Sequence, residues 1–161
     1  VRRNEDRSPL WPDSTVGSIS HTTGFAVALA ADAKRVLSAG IDIELILSDE
    51  QASDLGETIL SGFAPCTQAL GYGRFVSLVF SAKETVYKAL HPVLQEFMEF
   101  KDADCVTVDM ENQLCTIKFK KPLRHPLLDK QDFNVEFGFN HELVMTRLLI
   151  LRDSDQLKGK Y

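Results

Sequence analysis

Two short runs of strand-forming residues near the start of the chain predict a β-hairpin. Residues 16–20 and 25–31 are rich in apolar and small side chains, and the residues between them are small, polar or glycine, as in a tight turn. A further strand is predicted at residues 40–45, where apolar and acidic residues alternate. Because successive side chains of a strand point to opposite faces, Asp42 and Glu44 are predicted to share one face.

Two helices are predicted in the middle of the chain. Ser48 precedes acidic residues that suit a helix N-terminus, and this first helix is expected to end by Gly62. The second helix starts near Gly73 and has apolar residues at helical spacing. It is expected to end before Pro92, because proline disfavours helical backbone at the residue that precedes it.

One edge of the second predicted helix carries side chains that could face a phosphate. Ser81, Glu84 and Lys88 are spaced three and four residues apart, away from the apolar stripe. Lys83 points elsewhere on this helix and is expected to be a solvated charge.

The last third of the chain predicts a β-sheet. Strand patterns recur at residues 105–108, 114–119, 133–137 and 143–151, with polar turns between them. The order of strands, helices and then strands indicates the α+β class. The polar residues 153–161 are expected to form a frayed tail.

Composition and charge exclude several classes of protein. The 161 residues are 44% hydrophobic, which suffices for one ordinary domain or two small half-domains. A net charge of -5 argues against a nucleic-acid-binding protein. No apolar run approaches the roughly 20 residues of a membrane span, and the charged start lacks the apolar core of a signal peptide.

The cysteines favour a reducing compartment. Cys66, Cys105 and Cys115 show neither C-x-x-C spacing nor a paired histidine motif. Neither a zinc site nor a disulfide framework is therefore predicted, and a cytoplasmic location fits best.

The acidic residues form a set that could bind a metal ion. Asp42 and Glu44 on a strand and Glu84 on a helix supply the carboxylate oxygens that magnesium prefers. Alternating acids on a strand also occur on plain solvent-facing strands. From the residues alone, a metal site and an exposed polar face both remain open.

Four motifs, taken together and in this order, favour the metal site over the exposed polar face. They are Pro9-Leu10-Trp11-Pro12, Gly17-Ser18-Ile19-Ser20-His21-Thr22, Gly40-Ile41-Asp42-Ile43-Glu44 and Phe80-Ser81-Ala82-Lys83-Glu84-Thr85-Val86-Tyr87-Lys88-Ala89. Gly40-Ile41-Asp42-Ile43-Glu44 and Ser20-His21 are weak signals alone, but together with the helix motif the set resembles the surfactin-type 4'-phosphopantetheinyl transferases, most closely the enterobactin synthase subgroup.

The resemblance implies an α+β fold built from a pseudo-twofold pair of half-domains, with coenzyme A in the cleft between them. Residues 1–38 would be the C-terminal part of the first half-domain, which is incomplete in this chain. Residues 39–152 would be the second half-domain, with the metal site and the catalytic helix. Residues 55–72 would provide the surface on which a carrier protein docks, and a monomer is expected.

The resemblance also implies a reaction. The protein would transfer 4'-phosphopantetheine from coenzyme A to a serine of an apo acyl or peptidyl carrier protein and release 3',5'-ADP. Asp42, Glu44 and Glu84 would hold Mg²⁺, or Mn²⁺ in its place. Glu84, directly or through a metal-bound water, would take the proton of the carrier serine. The subgroup favours a carrier protein of nonribosomal peptide synthesis, in siderophore or enterobactin biosynthesis.

The resemblance assigns a further set of residues to coenzyme A. Lys88 would bind the bridging phosphates and stabilise the departing 3',5'-ADP. Ser20 and His21, which the sequence places in the hairpin turn, would contact a phosphate. Arg7 and Ser8 would approach the nucleotide.

Two other functions are compatible with the sequence. A non-catalytic module could bind coenzyme A or a carrier protein without chemistry, as a truncated transferase would. A metal-dependent hydrolase could use the same acids to activate water and cleave a nucleotide pyrophosphate. The hydrolase would break down coenzyme A in the absence of a carrier protein.

Overall fold

The computed structural model describes residues 2–3, 9–60, 70–123, 128 and 131–152. In these ranges the helices are α1 (Asp49–Leu60) and α2 (Tyr72–Leu94), and a short 3₁₀ helix covers Phe100–Asp102. The strands are β1 (Arg2–Arg3), β2 (Pro9–Leu10), β3 (Thr15–Thr22), β4 (Phe25–Asp32), β5 (Val36–Leu45), β6 (Ala103–Asp109), β7 (Leu114–Phe119), β8 (Asp132–Phe139) and β9 (Leu143–Leu151).

A five-stranded antiparallel sheet organises the described part of the chain. Its strand order is β5-β9-β8-β7-β6, so β5 is an edge strand. The hairpin β3–β4 forms a separate two-stranded sheet and packs against β5. The α+β class and the predicted strands are confirmed. The hairpin turn is tighter than predicted, because β3 runs to Thr22 and pairs it with Phe25.

The main hydrophobic core lies between α2 and the five-stranded sheet. The apolar stripe of α2 is buried there, against alternate side chains of the strands. The largest fully buried apolar side chains are Phe75, Leu78, Leu90, Ile117, Val76, Val79, Val86, Val135 and Val144. No helix in the described ranges is both long enough and apolar enough to cross a membrane.

The two helices begin and end for identifiable reasons. Ser48 caps α1: its hydroxyl accepts a hydrogen bond from the Gln51 backbone N–H, and the Gln51 side chain accepts one from the Ser48 N–H. The predicted end of α2 before Pro92 is wrong, because the helix continues to Leu94. Proline removes one helical donor, but the Gln95 N–H then closes on the His91 carbonyl with Gln95 in the left-handed conformation.

The strand β5 and the helix α2 approach each other closely at Gly40. A Cβ atom at this position would lie 2.0 Å from the carbonyl oxygen of Thr85. No side chain fits there, so a glycine is required for β5 to lie this close to α2. Gly40 thus permits a close backbone approach two residues before Asp42.

A Gly40→Ala variant is therefore expected to be less stable by about 2–3 kcal/mol, the cost of overpacking a core. Urea denaturation of the full-length protein measures this loss. Gly138→Ala on β8 is the matched control, because a Cβ atom there meets nothing within 4 Å. Equal stability of the two variants would contradict the close contact.

Candidate functional site

Three elements bring polar side chains together at the edge of the sheet. Ser20 comes from β3, Asp42 from β5 and Lys88 from α2. Lys88 Nζ lies 2.6 Å from Asp42 Oδ1 and donates to Ser20 Oγ at 3.0 Å, while Ser20 Oγ donates to Asp42 Oδ1 at 2.7 Å. These three residues are called the Asp42 cluster. They connect the β3–β4 hairpin to the strand β5 of the five-stranded sheet and to the helix α2.

Asp42 is the most deeply buried member of the Asp42 cluster. Its side chain is 1% exposed, whereas that of Lys88 is 26% exposed and reaches toward solvent. A buried carboxylate is stable only when it is paired and hydrogen-bonded. Oδ1 meets this condition, but Oδ2 is buried and has no hydrogen-bond partner among the described residues. The cluster therefore leaves one carboxylate oxygen unsatisfied.

Two further carboxylates surround Asp42. The pKa of Glu44 is raised to about 7, mainly by burial and also by the negative charges of Asp42 and Glu84, against the opposing effect of Lys88. Burial also raises the pKa of Glu84, and Asp42 adds to this while Lys88 lowers it. Asp42, Glu44, Glu84 and Lys88 therefore interact electrostatically, with three carboxylates against one ammonium.

The donor set of this site suits a hard divalent cation. Carboxylate oxygens are the ligands that magnesium prefers, and two more positive charges would relieve the mutual repulsion of the acids. The unsatisfied Oδ2 of Asp42 is an oxygen atom to which such an ion would bind. Within the described ranges, no three acidic, histidine or cysteine side chains stand in ligand geometry around one point. The chemistry and charge of the residues fit a cation, and their assignment as ligands is a proposal.

Buried hydroxyl groups fix the helix that carries Glu84. Thr146 Oγ1 on β9 lies 2.8 Å from Ser81 Oγ and 2.6 Å from Thr85 Oγ1. Ser81 is buried by this contact, so the expectation that it faces a phosphate is wrong. Its hydroxyl belongs to a hydrogen-bond network that holds α2 on the sheet. Ser81 and Thr85, which both contact Thr146, flank Glu84 along the helix.

Lys83 also differs from the sequence prediction. It is 6% exposed instead of solvated, and its ammonium donates to the carbonyl oxygens of Ile59 and Phe100, at 2.7 Å each. Burial lowers its pKa to about 8. The helical spacing identified only the apolar stripe, and it carried no signal that this cation turns inward to the end of another helix.

A cavity of about 610 Å³ opens beside Glu84 and Lys83. Its walls come from α1, from α2, from the segment between α2 and β6 and from the strands β6 and β7, and most of its lining is apolar. Tyr87, Phe97 and Phe100 contribute aromatic surface. The sequence did not predict this cavity, because its walls are distant in the chain and no motif marks them.

Other predicted residues have different outcomes. His21 is exposed on β3 and not in a turn, and it follows Ser20, which is buried. The two neighbours therefore point to opposite faces of the strand. Arg7 and Ser8 lie outside the described residues, as do Cys66 and part of the predicted docking surface, residues 61–69.

Comparison with known families assigns the two parts of the chain. The model of the 4'-phosphopantetheinyl transferase superfamily matches residues 38–139, and that of the 4'-phosphopantetheinyl transferase N-terminal domain matches residues 1–31. The first match contains Asp42, Glu44, Glu84 and Lys88, and the second contains Ser20.

Curated relatives agree with this assignment. Enterobactin synthase component D of Salmonella austin is 44% identical over 87 residues, which are 53% of this chain and 36% of that protein. The 4'-phosphopantetheinyl transferase Svp of Streptomyces mobaraensis is 33% identical over 71% of this chain and 48% of its own length. PptT of Mycobacterium tuberculosis, another such transferase, is 29% identical over 64% and 46%, respectively. The chain thus spans less than half of the length of each relative. It belongs to the 4'-phosphopantetheinyl transferase superfamily, near the enterobactin synthase component D subgroup.

Proposed function

We propose that the protein transfers 4'-phosphopantetheine from coenzyme A to a serine hydroxyl of an apo acyl or peptidyl carrier protein in a magnesium-dependent reaction. The observation that best supports this is the electrostatic interaction of Glu44, Glu84 and Lys88 with the buried Asp42, whose Oδ2 has no hydrogen-bond partner among the described residues. Phosphoryl transfer requires a site at which cations offset the negative charge of a pyrophosphate. Two of the relatives are themselves named 4'-phosphopantetheinyl transferases, which agrees with this reaction.

Asp42, Glu44 and Glu84 are the proposed ligands of Mg²⁺, with Mn²⁺ as a substitute. When bound, the ion neutralises charge on the pyrophosphate of coenzyme A. The three carboxylates differ in exposure: Asp42 is buried, whereas Glu44 and Glu84 are partly exposed. The two glutamates can therefore face substrate while Asp42 holds its position through Ser20.

Lys88 is the proposed ligand of the bridging phosphates. Its side chain is anchored at Asp42 and Ser20 but is 26% exposed, so its ammonium borders both the buried carboxylate and solvent. A compact ammonium with three donors can contact a phosphate oxygen and retain one of these partners. Charge on the departing 3',5'-ADP would be stabilised at the same atom.

Glu84 is the proposed general base. The carrier serine oxygen attacks the phosphorus that bears the pantetheine arm, and the bond from this phosphorus to the 3',5'-ADP oxygen breaks. The serine proton passes to the Glu84 carboxylate. Burial and Asp42 raise the pKa of Glu84, which makes it a stronger base than an ordinary carboxylate. Its helix is held in place by the hydroxyl network with Thr146.

The cavity beside Glu84 is the proposed site of the pantetheine arm. This arm combines apolar segments with amide groups, and the cavity is lined by aromatic and by polar side chains. Because Glu84 lines the cavity, an arm bound there would join the pyrophosphate next to the proposed base.

The intact mass of an apo carrier protein tests the proposed function. The full-length protein is incubated with coenzyme A, Mg²⁺ and a generic apo carrier protein, and a parallel sample contains EDTA. The expected result is a mass gain of one phosphopantetheine that is lost with EDTA. Bound but uncleaved coenzyme A without a mass gain would indicate a binding module instead. Cleavage of coenzyme A without a carrier protein would indicate a hydrolase.

The biological setting belongs to the same proposal. The resemblance to enterobactin synthase component D favours a peptidyl carrier protein of siderophore synthesis as the substrate. Cys105 and Cys115 are free thiols although their sulfur atoms are 3.5 Å apart, which supports a reducing, cytoplasmic location. The monomeric state remains a prediction.

A further inference from the structure

Lys83 links the walls of the cavity beside Glu84. It extends from α2, and its ammonium donates to the carbonyl of Ile59 in α1 and to that of Phe100 in the 3₁₀ helix. All three elements contribute to the lining of the cavity. One buried cation therefore joins all of them from the cavity wall.

The contact with Ile59 stabilises the C-terminal end of α1. The last four carbonyl groups of a helix have no donor within that helix, and a cation nearby is favourable because the helix dipole is negative there. The last turn of α1 contains no basic residue, so Lys83 of α2 supplies both the donor and the charge. Without this contact, the α1 wall would lose a connection to α2.

The contact with Phe100 holds a second wall of the cavity. The carbonyl of Phe100 accepts a hydrogen bond from Lys83, and its ring stacks on that of Phe80 with centroids 5.4 Å apart. Phe80 and Lys83 are three residues apart on α2 and thus lie on one side of it. The turn of α2 immediately before Glu84 therefore contacts both the backbone and the ring of Phe100.

We propose that Lys83 is a positioning residue that holds the cavity in the shape needed to bind the pantetheine arm of coenzyme A beside Glu84. This inference rests on the proposed function. It assigns to Lys83 no contact with the phosphates, which lie with Lys88 and the Asp42 cluster. Its effect is exerted through the α1 wall and the Phe100 wall.

Binding of coenzyme A and of 3',5'-ADP by the full-length protein tests this role. 3',5'-ADP lacks the arm, so it reports on the nucleotide site without the cavity. The test variant is Lys83→Met, which keeps the length of the side chain but removes its charge and donors. Lys118→Met on β7 is the matched control, because Lys118 is half-exposed and pairs only loosely with Asp132, at 3.6 Å.

Titration calorimetry with Lys83→Met is expected to show a Kd for coenzyme A that is about tenfold higher than that of the wild type. This increase corresponds to a modest loss of contacts between the cavity and the pantetheine arm. The Kd for 3',5'-ADP is expected to change by less than about twofold, as a change outside its site should. Hydrogen exchange at the amides of residues 57–60 and 99–102 should become faster. Lys118→Met should behave like wild type in all three measurements.

Three results would overturn the inference. One is an equal loss of affinity for both ligands, since a purely structural role predicts that outcome. Another is no loss for either ligand, and the third is a wild-type protein that binds coenzyme A no more tightly than 3',5'-ADP. If Lys83→Met does not fold, Lys83→Gln, which keeps an N–H donor, replaces it. If neither variant folds, Lys83 holds the fold alone and the positioning role is rejected.

The carrier-protein mass assay separates this inference from the proposed function. If the wild-type protein transfers phosphopantetheine and Lys83→Met retains full affinity for coenzyme A, only the inference about Lys83 is rejected. Absence of transfer by the wild type would reject the function itself.

Discussion

A Lys88→Met variant of the full-length protein is expected to be less stable by about 3 kcal/mol in urea denaturation without added metal. Asp42 is 1% exposed, and the Lys88 ammonium at 2.6 Å is its charged partner. Removing one partner of a buried pair leaves an uncompensated charge, and a loss at the lower end of the usual range follows because Lys88 is partly exposed. Transfer activity should fall by about 10²-fold or more, as for a lost electrostatic donor.

Magnesium provides a second measurement on the same variant. If Asp42 is a metal ligand, a bound dication supplies positive charge where Lys88 no longer does. Mg²⁺ should therefore raise the melting temperature of Lys88→Met more than that of the wild type. Arg147→Met is the control, because Arg147 pairs with Glu136 at the surface, where both side chains are more than half exposed, and its loss should cost less than about 1 kcal/mol. Equal destabilisation of the two variants would show that the Asp42 cluster is not the buried pair described above.

A Glu84→Gln variant is expected to lower transfer about 10³-fold, within the range that a positioned general base contributes. Glutamine has the shape of glutamate but does not take up the serine proton and is a poor ligand for Mg²⁺. Its effect on stability should be the reverse of the effect on activity. The Glu84 carboxylate is disfavoured by burial and by Asp42, so removing its charge should leave the metal-free protein at least as stable as the wild type.

Thermal denaturation with and without Mg²⁺ checks the second half of that prediction. The stabilisation by Mg²⁺ should be smaller in Glu84→Gln than in the wild type. Glu111→Gln, at an exposed position in the turn between β6 and β7, should change neither activity nor the response to Mg²⁺. Loss of activity together with loss of fold would show instead that Glu84 is needed for the structure.

Local patterns predicted most of the helices and strands and the proximity of four charged residues. Alternation placed Asp42 and Glu44 on one face of β5, and helical spacing placed Glu84 and Lys88 together on α2. The structure groups all four. Such patterns succeed because burial of one face of a strand or helix leaves a repeating signal in the sequence.

Tertiary contacts explain what the patterns missed. Lys83 looked like a surface charge because nothing near it in the sequence shows that the end of α1 needs a donor. Ser81 looked like a phosphate ligand because its partner, Thr146, is 65 residues away. Pro92 looked like a helix end, but packing of α2 on the sheet outweighs the hydrogen bond that proline removes. The cavity is formed by several elements that are distant in the chain, so no local sequence signal marks it.

The contact of Ser20 with Asp42 and Lys88 also limits how the protein can evolve. Ser20 lies in the region matched by the N-terminal family model, whereas Asp42 and Lys88 lie in the region matched by the superfamily model. Neither region carries the complete cluster, so substitutions at position 20 are constrained by residues encoded elsewhere in the gene. A chimera that joins these two regions from different relatives should keep the cluster only when the incoming strand offers a small hydroxyl donor at that position.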